Sequence, residues 1–224
     1  MGKTRRPPAR TRFPAMRRRP GDRDDVAEFI ARGFAVVPAA APRGPGCSCS
    51  RIGCPDPGAH PLSYGWRTEA SADPAQLELW RTRQPDSNFA SPTGLTHDVL
   101  DVPAAAGTMA FATLVAAETP IGPICASAAG DRHLYFTKPR PGAGDDADSD
   151  EWWPCVLDAA PETGPDTAGL RWHTKGSYVL IPPARGTNGR CARWIHEPDA
   201  PLPDPLRLLS ALADACEAVA AESR

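Results

Sequence analysis

Apolar residues in this chain fall in short runs separated by proline, glycine and charge, and the runs change period along the sequence. Asp22 can cap a short helix through Asp25, Val26, Phe29 and Ile30 that Gly33 closes. The stretch 34–38 reads as a buried strand. Asp73-Pro74 starts a second helix, with Leu77 and Trp80 on one face. Asn88–Ser91 is a short candidate strand and His97–Val102 a stronger one, followed by an alanine-rich helix over 104–118. Ile124–Ala126 and His133–Phe136 are strand-like. Leu170–Trp172 and Tyr178–Ile181 read as a hairpin-like pair, with a further strand near Cys191–Ile195. Asp204-Pro205 caps a final helix whose Leu208, Leu209, Leu212, Cys216 and Val219 share a face. Strands and helices are interspersed rather than strictly alternating, so the expected class is α+β (mixed α/β), a mixed sheet flanked by helices.

This pattern divides the chain into an arm over 1–22, a main domain over 23–200 and a C-terminal helix over 201–224 that packs on it. Two segments interrupt the main domain: a Pro/Gly-rich loop over 45–62 and an acidic, Pro/Gly-rich loop over 138–167. The second holds Asp145, Asp146, Asp148, Asp150 and Glu151, with Trp152 and Trp153 as candidate anchors, and is expected to be mobile.

A length of 224 residues suits one generous domain or one domain with tails. The net charge of −2 argues neither for nor against nucleic acid, but its distribution is uneven. Residues 1–21 carry Lys3, Arg5, Arg6, Arg10, Arg12, Arg17, Arg18 and Arg19 and no acid. They read as a disordered basic arm, either a sequence-independent phosphate contact or a solvated tail. The arm lacks an apolar run of signal-peptide length, and no stretch approaches the roughly 20 apolar residues of a membrane span. A cytoplasmic protein is expected, without a membrane partner, and its seven cysteines should be reduced or metal-bound.

Cys47, Cys49, Cys54 and His60 lie within fourteen residues. They offer the thiolate and imidazole donors that zinc takes in a closed, structural site. Gly46, Gly53 and Gly58 permit the turns needed to wrap one ion. The competing reading is three free cysteines beside an unrelated histidine. Cys125, Cys155, Cys191 and Cys216 stand singly and read as small buried residues. No phosphate-loop motif is present, so any helicase motor would belong to a separate partner, and no Ser/His/Asp hydrolase signature appears.

Several stretches in order resemble one family. They are the Cys-x-Cys-x4-Cys-Pro-x-Pro-Gly-x-His-Pro run at 47–61, Thr93-Gly94, Val99-Leu-Asp101-Val and Gly107. His133-Leu-Tyr-Phe136, Gly176-Ser-Tyr-Val-Leu-Ile-Pro-Pro183, Gly189 and Trp194 follow. Together they resemble the actinobacterial-type bifunctional DNA primase/polymerase (prim-pol) N-terminal domain of the archaeo-eukaryotic primase superfamily. The resemblance implies a prim-pol fold with a zinc-binding insertion. It also implies primer synthesis or extension from nucleoside triphosphates in DNA replication, with Mg2+ or Mn2+ held by converging carboxylates.

By that resemblance Asp101 matches the first divalent-cation carboxylate and His133 the triphosphate-contacting histidine, the two expected catalytic residues. The second carboxylate position is Pro103, and the third falls near Gly169. Asp98 stands three residues before Asp101, an odd spacing that turns it to the opposite face of a strand. Asp158 and Asp166 lie upstream of the third position, in the acidic loop. Arg132, Lys138, Arg171, Lys175 and Arg185, with Arg190 and Arg193, flank the matched stretches as candidate contacts to triphosphate or nucleic-acid backbone, or else as solvated surface charges. His97, His173 and His196 have no partner recognisable in the sequence. Two functions follow: a primase/polymerase-type nucleotidyltransferase degenerate at its carboxylates, or an inactive nucleotide- or nucleic-acid-binding protein acting with a replication or repair partner. A third reading is a zinc-stapled interaction protein.

Overall fold

The strongest apolar runs become the middle of a six-stranded sheet. The computed structural model describes residues 24–140, 162–163 and 169–222. The sheet comprises β5 (Asp98–Pro103), β6 (Ile124–Ala126), β7 (Arg132–Thr137), β8 (Glu162–Thr163), β9 (Arg171–His173) and β11 (Arg193–His196), in the order β11-β6-β7-β5-β9-β8. A smaller sheet orders β1 (Val37–Ala39), β4 (Asn88–Pro92) and β10 (Tyr178–Leu180) as β1-β4-β10. A two-stranded ribbon, β2 (Pro42–Arg43) with β3 (Gly46–Cys47), opens the cysteine loop. The helices are α1 (Asp25–Ala31), α2 (Trp66–Glu69), α3 (Pro74–Arg83), α4 (Ala104–Ala116) and α5 (Pro205–Glu222).

The α+β class is as expected from the interspersed elements. The mixed sheet is not: every strand pair among the described residues is antiparallel. The reason is local to β5–α4–β6. β7 is antiparallel to both β5 and β6 and lies between them, so the two like-directed strands never touch.

Register divides the large sheet into two unlike faces. Leu100, Val102, Tyr135 and Ile124 point to one side and pack with Ala106, Ala110 and Leu114 of α4 and with Leu208 and Leu212 of α5. Burying each leucine fully contributes about 2 kcal/mol. Val99, Cys125, Leu134 and Phe136 point to the other side, against Phe29 and Ile30 of α1, Leu77 of α3, and Phe89 and Val179 of the small sheet. The small sheet's outer face, Val37, Ala39 and Ala90, is closed by Trp66 of α2.

Local chemistry sets the helix ends. Asp73 accepts from the Ala75 amide ahead of Pro74, and Asp204 accepts from the Leu206 amide ahead of α5. The first helix differs from expectation. Asp24, not Asp22, accepts from the Ala27 amide, and Arg81 grips the same carboxylate at 2.6 Å. Asp22 and the basic arm lie outside the described residues.

Three other expectations change. The predicted 34–38 strand becomes β1 at Val37–Ala39, because Val36 bridges to Ser71 instead. The proposed hairpin of Leu170–Trp172 with Tyr178–Ile181 does not form. β9 pairs with β5 and β10 with β4, so the turn through Gly176 (φ 93°) crosses between sheets. Cys191 is exposed, whereas Cys125 and Cys216 are buried. Within the proposed 138–167 loop, β8 pairs with β9. Asp145, Asp146, Asp148, Asp150, Glu151, Trp152, Trp153, Cys155, Asp158 and Asp166 lie outside the described residues. No described helix is long and apolar enough to cross a membrane.

His97 occupies the core beside Phe29, Phe34 and Phe136, with ring centroids 5.3–5.9 Å away. It is fully buried, and its Nε2 has no hydrogen-bond partner among the described residues. Burial holds its pKa down to about 3, far below the ordinary value of 6.5. The unfolded chain therefore binds a proton first as pH falls from about 6.5 towards 3, and stability is lost through that window. Urea midpoints at pH 7 and pH 4 test this: His97→Phe should narrow the acid-induced loss by about 1–3 kcal/mol. An unchanged gap would remove His97 from the account.

Candidate functional site

The cysteine loop is shaped by backbone first. β2 and β3 place Pro42 opposite Cys47, the Ser48 amide donates to the Ala41 carbonyl, and the Ala41 amide donates to Ser48 Oγ. Gly58 has φ 82°, and a Cβ there would come within 2.8 Å of Pro42. Only glycine lets the chain return past the ribbon to His60. His60 is fully buried, and its backbone carbonyl accepts from the Ala40 amide at 2.7 Å.

The donor atoms of Cys47, Cys49, Cys54 and His60 lie within 4.8 Å of one another. His60 Nε2 is 3.5 Å from Cys47 Sγ and 3.3 Å from Cys54 Sγ. A tetrahedral zinc ion with ordinary bond lengths separates sulfur from nitrogen by roughly 3.6 Å. His60 Nδ1 donates to the Pro61 carbonyl at 2.7 Å, which fixes the proton there and leaves Nε2 for a metal. Burial pushes the Cys47 thiol up. Hydrogen bonds from the Cys49 and Gly58 amides, with Cys49 and His60 side chains, outweigh it and hold Cys47 near about 6. Donor types, spacing and tautomer all fit a closed structural zinc site, which takes no part in chemistry.

Asp101 is the centre of a second cluster. It stands on β5 directly between Leu134 of β7 and Arg171 of β9, and it is 4% exposed. Arg132 Nε donates to Asp101 Oδ1 at 2.7 Å, while Arg132 Nη2 donates to the backbone carbonyls of Asp101 (2.9 Å) and Gly169 (2.7 Å). On the other oxygen, His173 Nε2 lies 3.3 Å from Asp101 Oδ2 and Arg171 Nη1 lies 3.9 Å away. His173 Nδ1 is 2.9 Å from Ser177 Oγ. An imidazole that accepts from the serine at Nδ1 and donates to the aspartate at Nε2 satisfies all three groups. Ser177 and His173 are both buried, so this chain orients Asp101 rather than presenting a nucleophile.

Several of the residues chosen from sequence meet here. Arg132 and Arg171 flank Asp101, and Lys175 lies on the turn that carries Ser177, its backbone against Gly94. Lys138 sits at the opposite end of β7, its amide donating to the Pro203 carbonyl. Arg185 is held beside Asp86 and Asn88 at the start of β4. The structure does not bring His133 to Asp101. His133 pairs with Val102, so its side chain leaves from the other face and packs against Gly107 of α4. Burial, then Arg193, pushes its pKa below the ordinary value. Asp98 also faces away, as its odd spacing predicts; Trp172 Nε1 and the Arg140 amide donate to its Oδ2. The sequence shows no partner for His173 and gives Ser177 no role, whereas the structure joins both to Asp101. The available signal was parity: His173 is two residues beyond Arg171 on one strand and shares its face.

Pro103 stands at i+2 from Asp101 and Gly169 presents a carbonyl to Arg132. Among the described residues no second carboxylate faces Asp101. A pair of Mg2+ or Mn2+ ions requires several oxygen donors, and this one carboxylate is already taken by cationic and N–H groups. The donor set that the described residues supply at Asp101 therefore does not fit a two-metal centre; Asp158 and Asp166 lie outside those residues.

Two outcomes follow. Purified protein should carry one zinc per chain, and stripping it with chelator or changing Cys54→Ser should lower Tm by roughly 10 °C or more. Metal analysis and thermal melting check this, and an unchanged Tm would exclude a structural ion. Asp101→Ala should destabilise by about 2–3 kcal/mol, because Arg132 and Arg171 are left facing one another without their counter-charge. A carboxylate in a cation-binding site would behave oppositely, its removal being neutral or stabilising in urea unfolding.

A family model described as bifunctional DNA primase/polymerase, N-terminal, matches residues 26–206. No curated protein matches the chain.

Proposed function

Since this chain belongs to the bifunctional DNA primase/polymerase N-terminal family, we propose that it is a phosphate-recognising domain of that family that binds nucleotide or nucleic acid without metal-dependent nucleotidyl transfer. The observation carrying this reading is the Asp101–Arg132 ion pair of 2.7 Å, with His173 on the remaining carboxylate oxygen. Nucleotidyl transfer needs carboxylate oxygens free to hold divalent ions. At Asp101 those oxygens face a guanidinium and an imidazole. Mg2+ and Mn2+ are consequently given no role at this cluster.

Recognition of phosphate remains well supported. Arg132 has spent Nε and Nη2 on Asp101 and Gly169, and it acts as a strut. Arg171 is about half exposed, and Lys175 stands on the adjoining turn. Asp101 offsets one of the three cations, leaving a net positive ledge for a triphosphate or a backbone phosphate. Exposed cations of this kind act mostly through screened, salt-sensitive attraction. The product-forming chemistry of replication or repair, and any helicase motor, would then come from a partner. The competing reading, metal-dependent primer synthesis, is favoured by family membership itself.

One assay separates them. Primer synthesis and extension are run with Mg2+ and with Mn2+, for the wild type and for Pro103→Asp. The wild type should give no product in either metal, while binding a labelled oligonucleotide with an affinity that falls steeply with salt. Arg171→Ala with Lys175→Ala should weaken nucleotide binding by about tenfold. Template-directed product from the wild type that disappears in Asp101→Asn would overturn the proposal in favour of the enzyme.

A further inference from the structure

One described cleft lies away from Asp101. It lies between the cysteine loop and the chain joining α3 to β4, encloses about 430 Å³, and is lined by Arg43, Arg51, Arg83, Tyr64, Asp86 and Ser87 among others. Its volume is within the ordinary range for ligand sites. Arg43 and Arg83 outnumber Asp86 on its walls; Arg51 has an interaction of its own, and Cys49 and His60 of the cysteine loop also line the cleft. Neither Arg43 nor Arg83 pairs with a carboxylate among the described residues, and both are exposed. Tyr64 is 60% exposed, although its ring carries far more apolar than polar surface.

We propose that this cleft is a second nucleic-acid site, one that takes a short stretch of single strand, with phosphates on Arg43 and Arg83 and a base stacked on Tyr64. The chemistry favours that ligand over other anions. Arginine forks suit phosphate oxygens, and an exposed aromatic ring beside them adds a face on which any unpaired base can stack. A duplex offers no free base face to Tyr64. A free triphosphate would use the cations but leave the ring unused.

The two walls of the cleft are held by different means. Arg43 lies on β2 of the ribbon that carries Cys47, so the metal loop fixes its backbone. Arg83 ends α3, where its charge also complements the helix C-terminus. Asp86 and Ser87 lie just before β4, whereas the Lys175 turn packs on Gly94, just past its other end. A five-residue strand puts those ends roughly 15 Å apart. The cleft is therefore separate from the Arg171–Lys175 ledge, and the proposal does not rest on that ledge binding anything.

Fluorescence anisotropy of the whole zinc-loaded chain with a labelled oligothymidylate tests it. Arg43→Ala with Arg83→Ala should lower affinity about tenfold and reduce the salt slope by roughly 1.4, the value for two single-strand phosphate contacts. Tyr64→Ala should lower affinity about fivefold or more while leaving the salt slope unchanged. Zinc content and Tm of each variant should equal those of the wild type. Should the double variant lose zinc, Arg83→Glu, which lies outside the loop, gives the same reading. Mononucleotide binding should be untouched by the cleft variants and weakened by Arg171→Ala with Lys175→Ala. Unchanged oligonucleotide affinity in folded cleft variants overturns the proposal. So does loss of mononucleotide affinity in those variants, or equal competition by duplex DNA or polyaspartate. A ledge that fails while the cleft binds would remove only the reading of the Asp101 cluster.

Discussion

Asp101 is a carboxylate almost out of contact with water, and a charge so placed needs a counter-charge close by. Arg132 supplies it from the neighbouring strand, and the arrangement of the large sheet follows from how it does so. One guanidinium joins the Asp101 side chain, the Asp101 backbone and the Gly169 backbone, tying β5, β7 and the entry to β9 together. His173 then takes the second oxygen and is itself steadied by Ser177, at the turn where the chain leaves for the small sheet. The same geometry fills the place in which a metal ion would need open oxygens. On the proposed reading, the ion pair that ties the strands together also occupies the oxygens that a two-cation centre would need.

The cysteine loop reaches this cluster through α2. Leaving His60, the chain bridges Ala39 to Pro61, donates from the Leu62 amide to the Pro38 carbonyl, and enters α2. Trp66 seals the small sheet and Arg67 donates to the Gly176 carbonyl at 3.1 Å, next to Ser177. The metal loop is therefore continuous, through one short helix, with the turn that orients His173. A loop with so little apolar content of its own contributes to the fold by fixing where α2 begins.

Much of this was legible in the sequence wherever the chemistry is local. Asp73-Pro74 and Asp204-Pro205 announce their helices because cap and first turn are adjacent residues. The cysteine and histidine ligands could be grouped because all lie in one short loop. Parity along a single strand also carried information: it turned Asp98 away from Asp101. What failed needed a partner strand. His133 could be placed in a strand but not on a face relative to Asp101, since a one-residue shift in register exchanges the faces. The false hairpin has the same origin, because two short apolar runs near a glycine do not say which sheet each will join. Asp24 replaced Asp22 as a cap because its carboxylate is also the one Arg81 reaches, a contact 57 residues distant.

The separations spanned by the two sites give them different histories during folding. The metal donors in contact are 6 and 13 residues apart, so closing their loop costs little chain entropy. The contacts to Asp101 span 31 residues to Arg132 and 72 to His173, and they require three strands to be in register. Local contacts form early and distant ones late. The expected sequence of assembly is therefore the cysteine loop first and the anionic centre last, so that a chain emerging during synthesis could hold a metal ion in that loop well before Asp101 has met its counter-charge.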